Sequence, residues 1–450
     1  MRSPHRYALF LLGLLAAPGL AAEPSATSFP LRDGDLWVMA GDSITAQHLH
    51  SNYFEAFCFA RYPKLTFAFR NSGVGGHTIP TTLARFDYDI AAWEPTVVSV
   101  ELGMNDQGGT PTDKFIANMK IMVDRIQAIK ARPVLFSASP INNGETLARL
   151  AGNKRLDQYA TALREFAAHE KVPYADQFHA LLDVWGKNKP REILANTLVV
   201  LKQASTDDSL AGIEHLRAFL AAQEKNRVKP VSMQGDPVHP GPPGQLMMAA
   251  ALLKALGAES FVSSATLDAS GAVSEAKGCK VDDVKTRDGT LAFDRMDECL
   301  PFPIPAAASM VLPLDPTILE LSRYTLKVTG LKDGAYQLKI NGVPVAKLTA
   351  RELSSGVNLT AFARGSEANA ADPIAAQAKA ILDAVSAKEI LVSQWRALSR
   401  TVHSPSKVDL TPQREQLAAL NKKVQEADGK IREAAKPRKL HFDLAPMPAP

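Results

Sequence analysis

The sequence predicts an α/β domain, a parallel sheet with helices on both faces, followed by a small β-rich region and a C-terminal helical segment. Three observations carry this expectation. Short apolar runs at residues 37–40, 66–71, 96–102, 133–138 and 172–176 alternate with stretches of helical periodicity. Alternation of that kind closes into a parallel sheet through right-handed crossovers. From about residue 263 the segments shorten and alternate in polarity, with Lys332-Asp333-Gly334 and Asn341-Gly342 as turns, the mark of hairpins. After Asp372-Pro373, the residues Ile381, Leu382, Val385, Leu391, Trp395 and Leu398 give a helical stretch, and a second one at 412–435 is rich in Lys, Glu, Gln and Ala.

Taken in order, the run at 37–40 enters Gly41-Asp42-Ser43, and residues 52–61 read as a helix. The run at 66–71 ends in Ser72-Gly73-Val74-Gly75-Gly76-His77, and a helical stretch covers 81–93. The run at 96–102 is apolar and β-branched, as in a strand buried on both faces, and leads into Gly103-Met104-Asn105-Asp106. Thr110, Pro111 and Asp113 open the next helix; its Phe115, Met119, Met122, Val123 and Ile126 lie on one stripe. Leu156, Tyr159, Leu163 and Phe166 mark another helix before the fifth strand. Residues 181–230 read as a mostly helical insertion. A Pro- and Gly-rich loop, 234–244, then carries Asp236-Pro237-Val238-His239 into a helix at 245–256. The expected boundaries are a signal peptide at 1–22, the α/β domain at 23–262, the β-rich domain at 263–365, the helical segment at 366–440 and a disordered Pro-rich tail at 441–450.

A chain of 450 residues predicts two or three domains. Its 46% hydrophobic and 22% charged residues are a globular composition. The formal net charge of +4 is small and its cations are dispersed, so no nucleic-acid partner is expected. Arg2, His5 and Arg6, an apolar run at 7–15 and Gly19-Leu20-Ala21-Ala22 form a secretory signal peptide. Export to the periplasm or outside the cell follows as an expectation. No later run of about 18 apolar residues follows, so no stable membrane insertion is expected. Of three cysteines, Cys58 reads as a small buried hydrophobe, whereas Cys279 and Cys299, in a segment bounded by turns, are the expected disulfide pair. No Cys/His spacing suits zinc.

Loops after successive strands of a parallel sheet meet at one edge. Gly41-Asp42-Ser43, Asn71 to Gly76, and Gly103-Met104-Asn105-Asp106 each follow a predicted strand. A serine hydroxyl needs a base within reach to act as a nucleophile. His239 supplies one near neutral pH, and Asp236, three residues earlier, can orient it. The oxyanion formed on an ester needs fixed donors: the Ser43 amide, a loop amide such as that of Gly76, and the Asn105 side chain. No metal or organic cofactor is called for. Asp42 and Asp106 read as loop-holding acids, and His48, His50 and His77 as pocket or surface residues. Trp185 and the insertion around it read equally as an acyl pocket or a covering layer.

The four ordered blocks, Gly-Asp-Ser, Asn-x-Gly-x-Gly-Gly, Gly-x-Asn-Asp and Asp-x-x-His, resemble the signature of the SGNH hydrolases, or GDSL esterases and lipases, over roughly residues 35–257. The resemblance implies a three-layer α/β/α, flavodoxin-like fold and hydrolysis of acyl esters. It makes Ser43 the nucleophile, Asp236 and His239 its partners, and Ser43, Gly76 and Asn105 the oxyanion donors. His77 stands where the family often has an acid. The expected protein is an exported serine esterase acting through an acyl-enzyme on acetyl or short-chain O-acyl groups of a small molecule or polysaccharide, with a carbohydrate favoured. The alternatives are an O-acyltransferase to a sugar hydroxyl, and a non-catalytic carbohydrate-binding or envelope protein with a relict hydrolase core.

Overall fold

The computed structural model describes residues 29–142, 152–188, 192–225, 231–362, 372–405 and 407–448. The signal peptide expected at 1–22 lies outside them. Five parallel strands form the first sheet: β1 (Asp35–Gly41), β2 (Phe67–Gly73), β3 (Val97–Glu101), β4 (Arg132–Phe136) and β5 (Tyr174–Ala175), in the order β2-β1-β3-β4-β5. Side chains of a strand alternate between faces, and β1 feeds two cores accordingly. Trp37 and Met39 join one core with Phe54, Phe57, Phe136, Phe178, Trp185 and Leu246. Val38 and Ala40 join the other with Phe86, Phe115, Met119, Leu135 and Tyr159. Helices cover both faces, so the predicted three-layer α/β/α arrangement is the one found. Trp185 is 2% exposed and belongs to the first core. The stretch after β5 holds the helices Gln177–Lys187, Glu192–Ala204 and Ile213–Lys225.

Beyond the helix Pro242–Ala255 the chain builds two further sheets. One has the order β13-β10-β6-β7, from β6 (Phe261–Asp268), β7 (Val273–Lys277), β10 (Arg323–Thr329) and β13 (Val357–Asn358). The other has the order β12-β11-β14-β9-β8, from β8 (Cys279–Arg287), β9 (Thr290–Asp297), β11 (Ala335–Ile340), β12 (Val343–Thr349) and β14 (Leu440–Pro446). Both give side chains to one apolar core that includes Leu267, Phe293, Tyr324, Leu338 and Phe442.

Two expectations are corrected here. The segment expected as a disordered tail, 441–450, contains most of β14, a central strand paired on both sides with β11 and β9. Phe442 and Leu444 alternate with polar neighbours and are 0% and 1% exposed; that apolar alternation outweighs the Pro-rich end. Cys279 and Cys299, expected as a pair, are free thiols. Each sulfur faces a β6 carbonyl instead, Cys279 Sγ at 3.4 Å from Ser264 O and Cys299 Sγ at 3.7 Å from Val262 O.

The helices Pro373–His403 and Thr411–Ala434 pack together as a hairpin inserted between β13 and β14. The hairpin covers the outer edge of β2, which has a sheet partner on one side only. An uncovered edge leaves carbonyls without partners. Long cations from the hairpin reach them: Arg432 donates to Phe67 O (3.0 Å), Lys388 to Phe69 O (2.9 Å) and Arg396 to Gly73 O (3.1 Å). Arg70 on β2 returns two bonds to Asp428, at 3.0 and 2.7 Å, and Trp395 stacks on Trp93 with centroids 3.5 Å apart.

Candidate active site

The C-terminal ends of β1, β2 and β3 lie side by side, with Gly41 in register with both Gly73 and Glu101. Three of the four sequence blocks therefore leave the sheet together. Ser43 starts the short helix Ser43–Ala46, and Asp42 caps it by accepting from the Ile44 amide at 2.9 Å. The fourth block arrives through a tight loop. Gly235 has φ +69°, and a Cβ there would lie 2.0 Å from His239 O, so the turn requires glycine.

Ser43 Oγ lies 2.7 Å from His239 Nε2. On the other side of the ring, Nδ1 is 2.9 Å from Asp236 Oδ2 and 3.2 Å from Oδ1. Asp236 Oδ1 also accepts from the amides of Val238 and His239, each at 2.8 Å. These bonds, led by those from His239, hold the Asp236 carboxyl below its usual range. An ionised Asp236 fixes the proton on Nδ1, which leaves Nε2 free to accept the serine proton. The ring and the acid are accessible, with His239 35% and Asp236 58% exposed at their side chains. Pro237 O accepts from the Asn142 amide at 2.8 Å and ties this loop to the end of the β4 segment.

The second and third blocks flank the serine. A Cβ on Gly75 would come 3.9 Å from Ser43 Cβ, so this loop passes beside the Ser43 side chain. Gly76 has φ +75°, which favours glycine. Asn105 donates from Nδ2 to His77 O at 3.0 Å, which aims its carboxamide along the same loop. Asn71, at the end of β2, bonds Thr45 O (2.7 Å) and Ser51 Oγ (2.9 Å) and accepts from the Gly73 amide (2.8 Å). Asp106 Oδ1 accepts from the Ile79 amide at 3.2 Å. Ser43, Asp236, His239, Gly76 and Asn105 thus gather at one sheet edge.

Sequence reasoning missed the layer beneath them. Glu101, at the end of β3, bonds His50 Nε2 at 2.8 Å and Gln177 Nε2 at 2.8 Å. His50 Nδ1 contacts Gln245 Oε1 at 2.8 Å, and Gln245 Nε2 reaches Pro240 O (3.2 Å) and Gln47 Oε1 (2.6 Å). His50 is 3% exposed, not a surface or pocket residue. Burial alone would lower its pKa, but the Glu101 carboxylate and the bonds to Glu101 and Gln245 raise it. Asp42, 2% exposed, is pushed up to about 7 by burial and then by Glu101. The signal was in the sequence: an acid inside an otherwise apolar strand needs a buried partner. His77, at the edge of the site, is lowered by burial and by the Arg85 guanidinium, whose Nε lies 3.2 Å from its Nδ1.

Residues 39–197 match the GDSL-like Lipase/Acylhydrolase family. An acetylxylan esterase of Geobacillus stearothermophilus is 23% identical over 209 residues, covering 44% of this chain and 77% of that protein. The structure of a gut microbial diltiazem-metabolizing enzyme superposes with a TM-score of 0.69 at 21% identity, covering 94% of this chain and all of that one; this likeness is one of fold, and it takes in the sheets and helices outside the α/β domain. Over residues 39–197 the chain is thus similar to the GDSL-like lipases and acylhydrolases, the SGNH hydrolases, and these likenesses support a serine-type carboxylic ester hydrolase.

Proposed function

We propose that the protein is an exported esterase that removes acetyl or other short acyl groups from hydroxyls of a carbohydrate. One observation carries the mechanism: the continuous chain Ser43 Oγ, His239 and Asp236, with contacts of 2.7 and 2.9 Å. Ser43 attacks the ester carbonyl as His239 takes its proton. The oxyanion is held by the amides of Ser43 and Gly76 and by Asn105 Nδ2. His239 returns the proton to the departing sugar hydroxyl, leaving an acyl-enzyme on Ser43. Water, deprotonated by the same His239, then releases the carboxylic acid. Three things support the carbohydrate assignment: the relative named an acetylxylan esterase, the exposure of His239 and Asp236, which lets a bulky alcohol approach, and the signal-like N-terminal sequence.

The test pairs two readouts. A fluorophosphonate is expected to form one adduct, located on Ser43 by mass spectrometry, and acetylated xylan is expected to release acetate. Labelling at Ser43 without acetate from any acetylated polysaccharide would sink the carbohydrate assignment and leave the nucleophile in place.

Two expected results follow from individual side chains. Asn105→Ala removes one oxyanion donor, so kcat for a short-chain aryl ester should fall about 10²–10³-fold with KM little changed. A loss below tenfold would remove Asn105 from the oxyanion site. Asp42→Asn keeps an oxygen for the Ile44 amide and removes an ionisation. Asp42 has a folded value near 7, above its ordinary 3.8, so its protonated form favours the fold. That contribution is complete below pH 3.8 and is lost as pH rises through about 7. The melting temperature of Asp42→Asn, relative to wild type, should therefore rise between pH 4 and 7. A difference that stays constant with pH contradicts the assigned ionisation.

A further inference from the structure

We propose that the C-terminal helical hairpin is a positioning element of the ester-hydrolysis site, and that Arg396 connects it to the loop carrying Gly76. This rests on the reading of Gly76 and Asn105 as oxyanion donors. Arg396 lies on the helix Pro373–His403, more than 300 residues from that loop in sequence. Its Nε and one terminal nitrogen grip Asp89 at 2.5 and 2.7 Å, and the other terminal nitrogen donates to Gly73 O at 3.1 Å. Gly73 is the last residue of β2, where the loop begins.

Asp89 is shared. Arg85 binds the same carboxylate and also donates to Ser72 Oγ (3.0 Å), to Gly41 O (3.3 Å) and to His77 Nδ1 (3.2 Å). Ser72 Oγ closes the cluster on Asp89 O at 2.9 Å. Gly41 immediately precedes the serine block, and His77 O holds Asn105 Nδ2. One buried cluster therefore touches the start of the Gly73–His77 loop, its end, and the strand that delivers Ser43. Arg85, Asp89 and Ser72 are at most 3% exposed, and the Arg396 side chain is 14% exposed.

Two consequences follow from this arrangement. Bidentate guanidinium contacts have fixed geometry, so the hairpin sets the path of the loop rather than merely resting on it. Two guanidinium groups on one carboxylate also leave one net positive charge behind the loop, where negative charge builds on the substrate oxygen. A preorganised field of that sign favours the transition state over the neutral ester. Because Arg85 donates to Nδ1, the proton of the neutral His77 ring sits on Nε2, and the lowered pKa of His77 agrees with that form.

The experiment uses the full chain with Arg396→Gln, Arg396→Lys and, as a packing control, Trp395→Ala, which removes the stack on Trp93. Misplacing a catalytic group by about 1 Å costs up to 10²-fold in rate, so Arg396→Gln is expected to lower kcat about tenfold to a hundredfold with KM within about threefold. Arg396→Lys, which keeps the charge and is the safer variant for folding, should fall between Gln and wild type. Trp395→Ala should lower the melting temperature with kcat nearly retained. Hydrogen exchange of the peptide containing residues 73–78 should speed up in the Arg396 variants and not in Trp395→Ala. Wild-type kcat and unchanged exchange at 73–78 in a folded Arg396 variant overturn the proposal, as does an equal loss of kcat in Trp395→Ala. If the wild-type protein hydrolyses no ester, the functional reading fails instead, and the exchange measurement still decides whether Arg396 orders the loop.

Discussion

Ser43→Ala and His239→Ala are each expected to lower kcat for a short-chain aryl ester by about 10⁴–10⁶-fold, the scale of losses when a nucleophile–base unit is broken. Without Ser43 Oγ no acyl-enzyme forms. Without His239 the hydroxyl keeps its proton, since no other described base lies at hydrogen-bonding distance from it. The two residues act as one unit, so the double variant should be no slower than the worse single one. Asp236→Ala should cost less. It orients the ring through Nδ1, but its side chain is 58% exposed and water can replace part of that function. Retained turnover in folded Ser43→Ala or His239→Ala, measured in single-turnover assays with burst analysis, would remove the serine mechanism. Equal losses in all three variants would show that Asp236 does more than orient.

The α/β domain was legible because its information is local. Each strand is a short apolar run, and each functional loop is punctuated by glycine beside a residue with a hydrogen-bonding side chain. Gly41-Asp42-Ser43, Asn71 to Gly76 and Gly103 to Asp106 needed only the rule that strand ends of a parallel sheet share an edge. Parallel order then brought them together as the register of Gly41 with Gly73 and Glu101. The hidden parts depend on partners far apart in sequence. His50 looked like one of several histidines near the serine, because nothing local says that Glu101 lies beneath it. β14 was hidden by the prolines around it, since what orders Leu440–Pro446 is a slot between β9 (Thr290–Asp297) and β11 (Ala335–Ile340), far upstream in sequence. Helical periodicity gives the two helices of the hairpin as elements, but amphipathic spacing does not say which edge a helix will cover. Nothing local marks Arg396, Lys388 or Arg432 for a buried role, yet each reaches a β2 carbonyl.

Lys388→Met is expected to destabilise the protein by about 3–5 kcal/mol, the cost of removing one partner from a buried charge cluster. Lys388 is 0% exposed. Its ammonium contacts both oxygens of Glu55 (2.8 and 2.7 Å), Glu389 Oε1 (2.5 Å) and Phe69 O (2.9 Å). Met fills most of the volume but leaves two carboxyl groups and a strand carbonyl buried without their donor, and that desolvation is the source of the loss. A wholly apolar or amide-neutral cluster need not be weak, so adding Glu55→Gln and Glu389→Gln should recover part of the stability. The pH dependence gives an independent reading. Burial would raise Glu389, but Lys388 and then His48 outweigh it and hold its carboxyl near 2, below the ordinary 4.5. A lowered carboxyl stabilises the fold above its unfolded value, so this contribution is present above pH 4.5 and disappears as pH falls toward 2. In Lys388→Met that acid limb should flatten, because the main partner holding Glu389 down is gone. Urea unfolding of wild type, Lys388→Met and the triple variant at pH 3 and pH 7 measures both effects. Lys388→Met within about 1 kcal/mol of wild type at pH 7 would mean that the hairpin docks through its apolar side chains, Trp395 and Val385 among them, and that the buried ions set only its register.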